Sequence, residues 1–184
     1  MGRIALITGG ARSGKSRYAQ HMTGSLAHAS SRGRVLFIAT AEACDDEMSA
    51  RIARHQQDRP EAWDLREAPL GAAKVMETLE GEYDVILLDC LTLFVSNVLL
   101  CDTELPPSEI EARVDREIAA LCRVARTGSA AVVLVTNEVG MGLHPMTSLG
   151  RLFADLAGRA NQQVAAAADE VVLMVCGVPL KIKG

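Results

Sequence analysis

Residues 4–8, Ile-Ala-Leu-Ile-Thr, run directly into Gly9-Gly-Ala-Arg-Ser-Gly-Lys-Ser16, a match to G-x-x-x-x-G-K-[ST] with an apolar strand before it and a helical stretch after it. This pattern restricts the chain more than any other feature. The glycines let backbone N–H groups turn inward, and the helix that follows presents its positive end to the same point. A loop of this kind is built for the phosphates of a nucleotide. At this spacing Lys15 reaches β and γ oxygens and Ser16 is placed to ligate Mg²⁺. With Gly usage of about 7%, the pattern arises by chance in on the order of one chain in a hundred.

The rest of the chain supports a sheet to carry that loop. Short apolar runs alternate with longer helical stretches, the mark of an α/β fold with a mainly parallel sheet covered by helices. The spacing predicts strands over 4–8, 35–40, 83–89, 131–136 and 170–176, with a short C-terminal edge strand over 179–183, where Pro179 is tolerated. Helices are predicted over 15–29, 46–57, 72–79, 108–126 and 150–168, and residues 102–107, with two prolines, read as a surface loop. No repeat or linker divides the sequence, and its 184 residues suit one P-loop nucleotide-binding domain over 1–184.

Composition excludes several functions. The formal net charge is −4 and aromatics make up 3% of residues, so there is neither the positive field nor the stacking surface that nucleic-acid binding uses. No apolar run approaches the roughly 20 residues of a membrane span, and the N-terminus leads into the glycine loop where a cleavable signal would lie. The chain is expected to be cytoplasmic. Five cysteines, at 44, 90, 101, 122 and 176, show no C-x-x-C spacing, which argues against disulfides and structural zinc; they are expected to be reduced and mostly buried.

A phosphate loop needs a carboxylate near its metal, and the run Val85-Ile-Leu-Leu-Asp89 ends in one. Asp89 is therefore the second candidate metal ligand beside Ser16, although an acid at a strand end also serves as a turn former. Ligands bind at the carboxyl ends of parallel strands, so Thr40, Asp89 and Asn137 are expected along one rim, with Glu42 close by. Neither an N-K-x-D base-reading sequence nor an S-G-G-Q signature occurs. His55 lies in a stretch that starts with acids and ends with bases, as a solvated helix would. Its neutral imidazole is chemically able to attack phosphorus. From these residues alone, three readings stay open: a transferase with a covalent histidine step, a simple P-loop small-molecule kinase, and a nucleotide-binding switch module.

Gly9–Ser16, residues 39–48 with Thr40, Ala41 and Glu42, the block Arg51-Ile-Ala-Arg-His-Gln-Gln-Asp-Arg-Pro60, Asp89-Cys-Leu-Thr92, Val135-Thr-Asn-Glu-Val-Gly-Met-Gly142 and Asp155-Leu-Ala-Gly-Arg-Ala-Asn161 occur in that order. Together they resemble the bifunctional adenosylcobinamide kinase/adenosylcobinamide-phosphate guanylyltransferases of cobalamin biosynthesis. The resemblance implies a RecA-like P-loop fold, a homo-oligomer such as a trimer, ATP and GTP as substrates with Mg²⁺, and a corrinoid as the acceptor. It also implies that His55 carries GMP between GTP and adenosylcobinamide phosphate. Nucleotide contacts are implied at Gly9, Gly10, Ala11, Arg12, Ser13, Gly14, Lys15, Ser16, Thr40, Ala41, Glu42, Gln56, Gln57, Asp58, Arg59, Glu67 and Asp89. His144, Met146 and Ala154 depart from the usual pattern of the resembling enzymes, on the side expected to meet the corrinoid.

Overall fold

The computed structural model of the chain describes residues 2–42 and 60–184. Its elements in chain order are β1 (Ile4–Gly9), α1 (Lys15–His28), β2 (Val35–Ala39), β3 (Asp64–Glu67), α2 (Ala72–Thr78), β4 (Val85–Asp89), α3 (Leu91–Leu100), α4 (Pro107–Thr127), β5 (Ala131–Val135), α5 (Ser148–Ala167), β6 (Glu170–Val175) and β7 (Val178–Lys183). The strands form a single sheet in the order β3-β2-β4-β5-β1-β6-β7. Neighbouring pairs are parallel except β6 with β7, which are antiparallel.

The apolar runs become strands because both faces of the sheet are covered. Ile4, Leu6, Leu36, Ile38, Ile86, Leu88, Val132 and Leu134 point to one side, into a core shared with Met76, Phe94, Ile118, Leu121, Leu156 and Val164 from α2 to α5. Ala5, Ile7, Val35, Phe37, Val85, Leu87, Val133 and Val135 alternate to the other side, where Ala19 and Ala27 of α1 meet them. The long helix α4 buries Ile110, Val114, Ile118 and Leu121, a stripe at helical spacing.

The strand and helix expectations hold at the described positions to within two residues at each end. Two elements were not expected. The edge strand β3 reads Asp-Leu-Arg-Glu, which carries no apolar period; its place on the outside of β2 lets three of its four residues remain exposed. Residues 91–100, Leu-Thr-Leu-Phe-Val-Ser-Asn-Val-Leu-Leu, lack an amphipathic signature because α3 is enclosed by other elements, with six of its positions buried. The start of α5 lies at Ser148, two residues before its expected place, because Thr147 caps it: its Oγ1 accepts the Gly150 N–H at 3.1 Å.

The cysteine expectation needs correcting. All four described cysteines are free, but only Cys90 is buried; Cys122 is partly buried, and Cys101 and Cys176 are exposed. Cys101 follows the end of α3, while Cys176 sits in a two-residue hairpin turn with Gly177, both at positive φ (52° and 82°), the geometry that the twist of a β-hairpin favours. A turn tip cannot be buried. The helix expected over 46–57 and Cys44 lie outside the described residues.

Candidate functional site

The strand order brings the carboxyl ends of β3, β2, β4, β5 and β1 to one rim, with Glu67, Thr40, Asp89, Asn137 and the Gly9–Ser16 loop along it. The loop is tightly built. Gly9, at φ 147°, is the last residue of β1 and pairs with Met174 of β6; a Cβ there would lie 2.5 Å from the Met174 carbonyl oxygen and 2.9 Å from Ser13 Oγ. Gly14, at φ 94°, is the N-cap of α1. Arg12 also takes a positive φ, 55°, at the outer turn of the loop, and its side chain is exposed. The Ser13 N–H donates to the Gly10 carbonyl at 3.3 Å, and the Ser13 carbonyl accepts the Gly177 N–H at 3.0 Å, so the β6–β7 turn supports the loop from outside.

Lys15 is only 7% exposed, and its Nζ donates to the Gly10 carbonyl at 2.6 Å. The ammonium therefore lies across the loop and not out in solvent. Ser13 Oγ is buried with no hydrogen-bond partner among the described residues, an acceptor-donor group within the loop that a phosphate oxygen can satisfy. Ser16, on the first turn of α1, and Asp89, at the end of β4, are both partly buried. Their hard oxygens suit Mg²⁺, which takes one or two protein ligands and completes its shell with phosphate oxygens and water. Among the described residues no group of three or more His, Cys, Asp or Glu is arranged to hold a metal.

Thr40 is at the rim but its side chain is engaged. It is 0% exposed; its Oγ1 accepts the Cys90 N–H at 2.8 Å and donates to the Cys90 carbonyl at 2.7 Å, while its own carbonyl accepts from Asn97 Nδ2 at 2.7 Å. Thr40 thereby joins the end of β2 to the residue after Asp89. Ala41 is partly buried, and Glu42 and Glu67 are exposed at the ends of β2 and β3. His55, Gln56, Gln57, Asp58 and Arg59 lie outside the described residues.

Sequence reasoning missed a polar cluster just below this rim. The Asn137 N–H donates to Thr92 Oγ1 at 2.7 Å; Thr92 and Thr136 hydroxyls are 3.1 Å apart; Thr136 Oγ1 donates to Asn161 Oδ1 at 2.6 Å; and Asn161 Nδ2 donates to the Asn137 carbonyl at 3.1 Å. One step further on, the Glu138 N–H donates to the Gly9 carbonyl at 3.0 Å. A signal for the cluster existed: Asn161 falls at helical spacing among buried Ala157, Ala160 and Val164, a core-facing place for an amide. Arg151 donates to the carbonyls of Pro145 and Met146, and Arg159 pairs with Glu111 and Asp115 of α4, so both guanidinium groups serve the scaffold. His144 and Met146 are exposed in the loop between β5 and α5, where Leu143 is 98% exposed. Ala154 is partly buried in α5.

A parallel sheet with a glycine loop closing on a lysine, and an acid on the neighbouring rim, defines a P-loop nucleotide-binding protein. Residues 5–182 match the family model described as cobinamide kinase / cobinamide phosphate guanyltransferase, and the chain belongs to that family. It is 44% identical to the "Bifunctional adenosylcobalamin biosynthesis protein CobU" of Escherichia coli K12 over 186 residues, covering 98% of this chain and 99% of that protein. The protein of the same name from Salmonella typhimurium LT2 is similar to the same extent. "Bifunctional adenosylcobalamin biosynthesis protein CobP" of Pseudomonas aeruginosa PAO1 is 39% identical over 179 residues, 97% of this chain and 96% of that protein. No helix among the described residues is long and apolar enough to cross a membrane.

Proposed function

We propose that this chain catalyses two transfers at one phosphate loop: phosphorylation of the aminopropanol hydroxyl of adenosylcobinamide by ATP or GTP, and transfer of GMP from GTP to the resulting phosphate. The observation that carries the reading is the loop itself, intact and closed by Lys15, in a chain matched to its family over 5–182.

In the first reaction the loop N–H groups and the start of α1 hold the phosphates, and Lys15 offsets charge that builds on the transferring group. Ser16 and Asp89 would hold Mg²⁺. The bound cation would supply further charge neutralisation at the phosphate oxygens. The corrinoid hydroxyl oxygen forms the new bond to the γ-phosphorus as the bond to the β-phosphate oxygen breaks, and the hydroxyl proton leaves to solvent or a base. In the second reaction a ring nitrogen of His55 attacks the α-phosphorus of GTP and pyrophosphate leaves. A phosphate oxygen of adenosylcobinamide phosphate then attacks that phosphorus and the P–N bond breaks, releasing histidine and adenosylcobinamide-GDP. Ala41 and Glu42, the segment Gln56 to Arg59, and Glu67 are assigned to nucleotide contacts, with Thr40 holding the end of β2 in place through Cys90; Arg59 would offset phosphate charge and Glu67 would accept from a guanine or ribose donor.

With one such loop in 184 residues, the two reactions would share one phosphate cradle or use it in turn. A corrinoid is large beside a globule of about 16 Å radius, so we place its cleft partly at a subunit boundary of a homo-oligomer, a trimer being one such form, in the cytoplasm. The test is incubation with α-labelled GTP and Mg²⁺. Acid-labile, base-stable label on the protein, lost in His55→Ala, is the expected result. No label on the wild type, with phosphate still transferred to the corrinoid, would identify a simple kinase; no transfer of either kind would leave a nucleotide-binding module.

A further inference from the structure

The hydrogen bonds around Asn161 close on themselves, and their directions follow from chemistry. The Asn137 carbonyl only accepts, so the side of the Asn161 amide facing it must be Nδ2, and Oδ1 faces Thr136. Thr136 has one hydroxyl proton, which goes to Oδ1; the Thr92 hydroxyl therefore donates to Thr136 and accepts the Asn137 N–H. Each group is matched to its neighbour and no other arrangement satisfies all four. Thr92 is on α3, Thr136 and Asn137 follow β5, and Asn161 is on α5, so three separate segments are fastened at one residue, Asn137.

That residue lies at a significant place. Because β5 runs between β4 and β1, Asn137 stands at the rim between the end of β4, with Asp89, and the phosphate loop. Its N–H and C=O are both held by the ring, and the next residue, Glu138, donates to Gly9. The Asn137 side chain is the part left over: the residue is partly buried, and among the described residues its amide has no hydrogen-bond partner. A carboxamide there offers donors to phosphate oxygens and an acceptor to an incoming hydroxyl, both without adding charge.

We propose that Asn137 is a substrate-contacting residue of the phosphoryl transfer and that Asn161 is its positioning residue, acting through the ring with Thr92 and Thr136. The inference rests on the kinase reading above. Asn161, 9% exposed beneath the rim, reaches the reaction only through the peptide it holds. Its substitution should therefore disturb turnover more than nucleotide affinity, since most of the phosphate contacts come from the loop and Lys15.

The experiment is steady-state phosphorylation of cobinamide by the full chain, comparing wild type with Asn137→Ala, Asn161→Asp, the double variant, Thr92→Ser and Thr92→Val. Asn161→Asp keeps size and the acceptor to Thr136 but turns an oxygen toward the Asn137 carbonyl. Asn161→Asp and Asn137→Ala should each lower kcat by about tenfold or more with the nucleotide KM changed by less than about threefold. The double variant should be no slower than Asn137→Ala alone, and Thr92→Ser should retain the kcat that Thr92→Val loses. Wild-type kcat in Asn161→Asp, or losses that multiply in the double variant, would overturn the inference. If Asn161→Asp does not fold, the Thr92 pair decides: equal kcat in Ser and Val overturns it. A wild type that phosphorylates no cobinamide would instead remove the kinase reading, and this inference with it.

Discussion

Two glycines of the phosphate loop offer a quantitative test of how the loop is held. Both have positive φ, 147° at Gly9 and 94° at Gly14, so alanine at either position incurs backbone strain of about 1–2 kcal/mol. Their surroundings differ. A Cβ at Gly14 would find Gly177 Cα at 3.4 Å and Met174 Cε at 3.8 Å, ordinary contacts. At Gly9 it would lie 2.5 Å from a backbone oxygen of β6, which cannot swing aside as a side chain can. Nor can Gly9 retreat: it is in register with Met174 on one side, and its carbonyl accepts from Glu138 on the other. Forcing these apart adds about 1–3 kcal/mol of overpacking. Gly14→Ala should thus cost about 1–2 kcal/mol and Gly9→Ala about 2–5 kcal/mol. For a chain of this length each kcal/mol lowers Tm by about 2–4 °C, so Gly9→Ala should melt about 4–20 °C below wild type and Gly14→Ala about 2–8 °C below. Thermal unfolding followed by circular dichroism, without nucleotide, reads this directly. A Gly9→Ala protein melting at or above Gly14→Ala would refute the claim that the loop is clamped between β6 and the turn after β5.

Thr40 separates a contact with nucleotide from a role inside the scaffold. Removing its buried hydroxyl in Thr40→Val should cost about 1–3 kcal/mol, whereas Thr40→Ser, which keeps both bonds to Cys90, should lose only about 0.8 kcal/mol for the methyl group; chemical denaturation measures both, and a Val variant of native stability that fails to bind GTP would reverse the assignment. Acid stability should depend on Asp169. The Ile4 N–H, and then Arg126, hold its carboxyl below the ordinary 3.8. A depressed folded-state value means that the stabilisation is present above that ordinary value and is lost as pH falls through the lower, folded one. Asp169→Asn should therefore flatten the decline of Tm with pH below about pH 4, and parallel wild-type and variant curves would contradict it.

Local chemistry explains what was legible from residues alone. The phosphate loop needs only its own glycines, lysine and serine at fixed spacing, and the buried strands announce themselves as apolar runs because both faces of a parallel sheet are covered. Asp89 stood out because it ends such a run at the rim where open α/β sheets bind ligands. By contrast β3 was hidden, since an edge strand with three exposed residues has no pattern to display, and α3 was hidden because a helix enclosed by neighbours has no polar face.

From sequence alone came the nucleotide class of ligand, the α/β architecture, the strands that carry the rim and the family the chain joins. Tertiary structure decided which of the rim residues are neighbours and what each still has to offer. Thr40 looked like a ligand contact, and its hydroxyl turned out to be taken by Cys90, 50 residues away. Thr92, Thr136 and Asn161 drew no attention singly and meet in one closed ring. Both outcomes have one physical cause. A buried polar group must find its partner wherever the chain order of the sheet brings one, and that order joins residues whose spacing in sequence carries no period to read.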